Sequence, residues 1–273
     1  MTAVGVVGAG RAGVGLALAL TQAGHSVRVH ARRGKRVPPP LVLSWGGAPP
    51  WLAEVEVVLV AVRDGDIAAA ASELAGAGGV TDAHAVLHLS GLRDAAPLEV
   101  LRPSGAALGC WHPLQAIAHP EDAPERLRGA VAALSGDPRA VAVAEFLARD
   151  LGMHPVVLDG AAKPRYHAAA AIASNYMVVL AAMAERLMTE AGVPPDTARA
   201  GIATLMQGTL ANIRTDGAAA LTGPIVRGDV ETVRVHLDVL PPELRDAYRA
   251  LGRATLTIAG LDGAVADRFR DLL

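Results

Sequence analysis

Little in this chain points to a secreted scaffold, a nucleic-acid binder or a metalloenzyme. Its 273 residues include one cysteine, Cys110, so no internal disulfide can form, and the composition suits a reducing cytoplasm. Lysine and arginine form no long runs and the formal net charge is -2, which leaves no electrostatic footprint for nucleic acid. No basic amphipathic helix suggests a membrane surface, and no signal peptide is expected ahead of the first apolar run. The longest apolar run, Ala168 to Ala184, is alanine-rich and interrupted by Ser174, Asn175 and Tyr176, so it reads as a buried helix rather than a membrane span. Histidines and carboxylates are plentiful, but no H-E-x-x-H, C-x-x-C or similar ligand spacing occurs, and no metal is expected. A G-x-S-x-G elbow is absent and Cys110 lies in an expected strand, so serine or cysteine nucleophilic catalysis has no support. There is no internal repeat and no low-complexity tail. What remains is a globular chain, 52% hydrophobic and 19% charged, long enough for two modest domains and suited to a small-molecule partner.

The most informative stretch is Ala3 to Gly13, A-V-G-V-V-G-A-G-R-A-G. An apolar run ends in Gly8, Gly10 and Gly13, the spacing G-x-G-x-x-G, and the helix-forming segment Val14 to Ala23 follows at once. In such a strand, turn and helix, Gly8 permits the turn and Gly10 lets a pyrophosphate approach the backbone. Gly13 lets helix and strand pack closely, and the free helix N–H groups face the phosphates. Ala9, Arg11 and Ala12 complete this cofactor loop. Ser26 to His30 alternates as a second strand and ends at Ala31, Arg32 and Arg33, where NAD enzymes usually place a carboxylate for the ribose 2'-hydroxyl. Two arginines and no carboxylate favour NADP over NAD, because guanidinium is a planar, permanent cation suited to a 2'-phosphate. The competing reading leaves one or both as solvated loop residues.

Gly34 to Pro50 reads as loop, with a short extended piece at Leu41 to Trp45. Val55 to Val62 is a continuous apolar, β-branched run suited to a parallel strand buried on both faces, and Asp64 and Asp66 then open a helix. Ala85 to Ser90 and Ala106 to Trp111 repeat the strand pattern. Ala130 to Leu134, a helix over Pro138 to Asp150, and Met153 to Leu158 complete a first domain, 1–160. Beyond it only helical patterns remain, at Tyr166 to Ala191, Asp196 to Thr215, Asp229 to Leu240, Glu243 to Ala259 and Asp262 to Leu273. The expected fold class is therefore α/β: an N-terminal Rossmann-type, doubly wound, mostly parallel sheet followed by an all-α domain, 161–273.

In such a sheet the substrate pocket faces the carboxyl ends of the strands, here Val62, Ser90 and Trp111. Val62 with Arg63, and Ser90 with Gly91, are expected beside the cofactor. His112, just past a strand end, can donate a proton near neutral pH, or is a loop histidine held by the backbone. His88, inside a strand, reads as a hydrogen-bonded core residue. Lys163, Tyr166, His167, Ser174 and Asn175 gather where the helices begin. His167 and Ser174 stand two turns apart on one helical face with Asn175 at its margin, so they either bond to other helices or line the substrate pocket. On the second reading His167, Asn175 and Lys163 join His112 as catalytic groups, while Tyr166 and Ser174 contact substrate. In L-T-G-P-I-V-R-G-D, from Leu221, Asp229 is expected to cap the next helix through Thr232. Arg227 binds a substrate carboxylate or forms a structural ion pair.

G-A-G-R-A-G, H-L-S-G at His88, W-H-P-L-Q at Trp111, Y-H-A-A-A at Tyr166, S-N-Y at Ser174 and the Leu221 motif together resemble a family spanning nearly the whole chain. It is the Rossmann-like NADP oxidoreductases with a helical C-terminal domain of unknown function. These are similar in layout to pyrroline-5-carboxylate reductases, ketopantoate reductases and deazaflavin-dependent NADP reductases, and the resemblance implies a helical domain that forms a homodimer. Two departures stand out: Arg63 occupies a position where these relatives commonly have proline, and His167 stands where β-hydroxyacid dehydrogenases, whose catalytic lysine Lys163 resembles, carry asparagine. The expected activity is NADP-dependent hydride transfer to a C=O or C=N bond of a small, anionic substrate between the two domains. The rival is a catalytically silent NADP-binding or sensing dimer.

Overall fold

A computed structural model describes all 273 residues, which form two compact units, Met1–Ser174 and Asn175–Leu273. In the first unit the elements run β1 (Ala3–Val7), α1 (Arg11–Gln22), β2 (Ser26–Ala31), β3 (Leu43–Trp45), β4 (Val57–Val60), α2 (Ile67–Ala77), β5 (Ala85–His88), β6 (Ala107–Pro113), α3 (Ala123–Arg126), β7 (Val131–Gly136), α4 (Pro138–Asp150), β8 (His154–Val157) and α5 (Lys163–Ala171). The strands build one sheet in the order β3-β2-β1-β4-β5-β6-β7-β8. Pairing is parallel from β3 to β6, antiparallel between β6 and β7, and parallel again from β7 to β8. The Rossmann-type, mostly parallel sheet expected from the sequence is therefore present. Strand order reverses between β1 and β4, so the crevice where such sheets take ligands opens at Gly8 and Val62.

The continuous apolar runs have a direct physical outcome. In β4, Val57, Val58, Leu59 and Val60 are each at most 1% exposed. Val57 and Leu59 pack with Leu16 and Leu20 of α1 and Leu147 of α4, whereas Val58 and Val60 pack with Ile67 and Leu74 of α2 and with Leu98 and Leu101. A strand covered by helices on both faces has no polar side, and each such side chain contributes roughly 1.5–3 kcal/mol of burial energy.

The second unit contains α6 (Met177–Glu190), α7 (Pro195–Asp216), α8 (Val230–Val239), α9 (Pro242–Ile258) and α10 (Gly263–Arg270). Its core gathers Val233 and Leu237 of α8, Leu256 of α9 and Phe269 of α10, with Met183 and Leu187 of α6 packed against them. Asp229 caps α8 as expected, its carboxylate accepting from Thr232 N at 3.1 Å and from Thr232 Oγ1 at 2.6 Å. Such a cap is worth about 1 kcal/mol.

Two readings of the long apolar helix are corrected. Residues Ile172–Tyr176 form a π-helical turn between α5 and α6 rather than continuing as α-helix. His167, Ala170, Ala171 and Ser174 are half-buried and the residues between them exposed, with Asn175 exposed beside them. Nor is the helix buried within the chain: Gly160–Glu190 has an 18-residue window of mean hydropathy 1.5 with none of it buried, and by length and composition it could cross a membrane. Ile172, Tyr176, Val178 and Val179 are each more than half exposed. On α7 only Ala198 is buried. Alanine-rich faces lack the bulk to close a core by themselves, so the sequence pattern alone could not tell a filled interior from an open face.

Candidate active site

The β1–α1 turn shows why three glycines occur there. Gly8 has φ +113°, and a Cβ on it would lie 2.3 Å from the Ala61 carbonyl oxygen. A Cβ on Gly13 would lie 2.1 Å from the Gly8 carbonyl oxygen, so α1 can approach the strand ends only without a side chain. At Gly10, by contrast, nothing stands within 4 Å. Gly10 is also the N-cap of α1 and supplies no side-chain cap. Open backbone and uncapped N–H groups at a helix start are what a pyrophosphate requires. Ala9 is buried beneath the turn, while Arg11 and Ala12 are exposed on the first turn of α1.

Beside this turn lies a cavity of about 140 Å³, open to solvent, lined by Gly8, Ala31, Arg32, Val62, Asp66 and Glu73, among others. Arg32 reaches into it from the end of β2 with its Nη2 3.2 Å from Glu73 Oε1 on α2, both side chains more than half exposed. Arg33 and Arg63 are exposed and do not line it. The turn, the cavity and Arg32 thus fit a dinucleotide with its adenosine end toward β2.

At the ends of β5 and β6 a second group of side chains meets the start of α5. Ser90 is its hub. Its hydroxyl donates to Asp64 Oδ2 at 2.7 Å and accepts from the N–H groups of Leu92 and Arg93 at 3.1 and 3.0 Å. Its carbonyl accepts from Lys163 Nζ at 3.2 Å and from Cys110 Sγ at 3.0 Å. Lys163, 1% exposed, also stands 2.7 Å from Cys110 Sγ. Ser90 and Lys163 are therefore committed to holding the β4, β5, β6 and α5 ends together. His88 is the core residue its strand position suggested: Nε2 donates to the Asp94 carbonyl, Ser90 N donates to Nδ1 at 3.1 Å, and burial lowers its pKa.

His112 and Tyr166, both half-buried, form the outer side of this group. His112 Nδ1 and Tyr166 Oη are 2.9 Å apart, with the rings edge to face. Burial, reinforced by Lys163 and His167, pushes the His112 imidazole down to about 4. His112 is thus neutral at physiological pH. Burial pushes the Tyr166 phenol up to about 12 and keeps it protonated. His167 stands across from His112, and its Nδ1 is buried with no hydrogen-bond partner. Both rings converge over Gly91, where a Cβ would lie 2.6 Å from His167 Nδ1 and 2.8 Å from His112 Nε2. An orphaned buried ring nitrogen costs roughly 1–3 kcal/mol.

Ser174, half-buried, and Asn175, exposed, lie in the π turn. Arg227 is exposed on the turn before α8, in the second unit, with Asp229 nearby. Sequence reasoning missed Glu73 beside Arg32 and gave no partner roles to Asp64 and Cys110. Glu73 is one charged residue on the outer face of a helix, and nothing local distinguishes it.

Fold and turn together define the class, a Rossmann-type α/β chain with a helical C-terminal unit. Residues 130–255 match a family model described as a domain of unknown function (DUF2520). Comparison with curated proteins gives no match. Among solved structures the chain is similar to a candidate NADP oxidoreductase from Bacteroides fragilis, with TM-score 0.74 and 20% identity over 93% of this chain and 97% of that one. It is also similar to a Thermotoga maritima protein, with TM-score 0.67 and 24% identity over 94% and 98%. A third is a Plasmodium falciparum pyrroline carboxylate reductase with NADP bound, with TM-score 0.62 and 9% identity over 99% and 95%.

Proposed function

We propose that this chain is an NADP-dependent oxidoreductase that reduces a C=O or C=N bond of a small, anionic substrate. One observation carries the reading: the glycine turn, the Arg32 cavity and the Tyr166–His112 pair all stand at the carboxyl ends of one parallel sheet. Bound NADPH would supply the hydride. Gly8, Gly10 and Gly13 shape the backbone that receives its pyrophosphate, and Arg32 meets its 2'-phosphate. Tyr166 is the proton carrier, protonated across the ordinary pH range, and neutral His112 orients its hydroxyl. Ser90, Asp64, Lys163 and Cys110 fix the strand ends on which that geometry rests.

Fluorescence titration with NADPH and NADH tests the cofactor. NADPH is expected to bind more tightly, and Arg32→Ala to weaken it about tenfold to a hundredfold, the loss of one charge-assisted contact to phosphate, with little effect on NADH. NADPH oxidation against a panel of imines, 2-oxo acids and aldehydes tests the reaction. Tight NADPH binding with silence across that panel would favour a sensing role instead.

The exposed apolar faces of α6 and α7 support a homodimer through the helical unit. Val178, Val179, Leu205 and Ile213 are each at least half exposed, and exposed apolar faces of this kind mark interaction surfaces.

A further inference from the structure

The cavity expected to take a 2'-phosphate is not simply basic. Besides Arg32, it is lined by two carboxylates, Asp66 and Glu73. Arg32, the cation in that lining, already has a partner: its guanidinium stands 3.2 Å from Glu73. Arg33 lies outside the lining and adds no second cation to it. A dianionic phosphate placed here would contend with the Glu73 carboxylate for the same guanidinium, and would feel its repulsion until Arg32 moved across.

We propose that Glu73 is a specificity-determining residue of the dinucleotide site: an acidic counter-group that Arg32 must leave in order to bind the 2'-phosphate. The inference rests on the cofactor reading above. Cofactor preference is then an exchange of partners at Arg32 rather than the sum of two arginines. The pair is exposed, so the exchange is thermodynamically easy; surface ion pairs of this kind contribute little stability by themselves. Discrimination between the two cofactors is correspondingly moderate, because part of the Arg32–phosphate attraction only replaces an existing contact. A ribose 2'-hydroxyl, uncharged, has no need to displace Glu73, so binding of NADH is insensitive to it.

The test is equilibrium titration of the full chain with NADPH and NADH, for wild type, Glu73→Gln, Arg32→Ala and the double variant. Glutamine keeps the size of the side chain and removes its charge, and circular dichroism checks that each variant is folded. Glu73→Gln is expected to tighten NADPH about tenfold while leaving NADH within about twofold, and this gain is expected to vanish when Arg32 is alanine. Unchanged NADPH affinity in Glu73→Gln overturns the proposal. So does weakened NADH binding, which would make Glu73 the acceptor of the ribose hydroxyl. A gain that persists in full without Arg32 overturns the exchange in favour of simple repulsion. If wild type binds neither dinucleotide, the cofactor reading itself fails, a result distinct from these.

Discussion

Burial moves Tyr166 and His112 apart on the pH scale, the phenol up to about 12 and the imidazole down to about 4, so both are uncharged across the ordinary range. For the reaction, Tyr166→Phe is expected to lower kcat about a hundredfold with little change in KM, since it removes the proton carrier and leaves the ring. His112→Asn should lower kcat less, because the phenol keeps its proton and loses its alignment. Steady-state kinetics on whichever substrate the panel identifies would check both. For stability, the His112 pKa is depressed on folding, so between about 6.5 and about 4 the unfolded chain holds the proton that the folded chain refuses. Stability from this residue is present above about 6.5 and is lost as pH falls to about 4, by about 3 kcal/mol in all. Denaturant unfolding at pH 7 and pH 4.5 should show the fall in wild type and a smaller one in His112→Asn. The position of His112 past a strand end was legible in the sequence. Its neutrality was not, because it depends first on burial and then on Lys163 and His167, which are distant in the chain and meet it only through the fold.

Among the elements, the strands were the most legible, since a β-branched run such as that in β4 can be buried on both faces only in a parallel sheet. The three glycines were legible for a similar reason: their spacing encodes close approach. Gly13→Ala is expected to cost about 1–3 kcal/mol, as α1 is pushed off the Gly8 carbonyl, and the denaturant midpoint would report it. The π turn at Ile172–Tyr176 was illegible, because a single extra residue in a helical turn leaves no mark on an alanine-rich pattern.

For the molecule as a whole, composition indicated a chain able to bury a large core but not where burial would stop. The open faces of α6 and α7 were beyond the sequence because their apolar residues would look the same against a neighbouring helix or another copy. Light scattering is expected to give twice the chain mass, and Val178→Asp with Leu205→Asp to give the single chain mass with the helical content retained. The far edge of the sheet carries a separate safeguard. In β8, His154 N and Leu158 N donate inward to β7, so the backbone nitrogens of Pro155 and Val157 point outward. Proline has no N–H to offer there, which removes a donor from the free edge in the middle of a strand whose Val157 is 63% exposed. Pro155 thus works against edge-to-edge strand addition at β8, so a second sheet cannot extend this one in full register there.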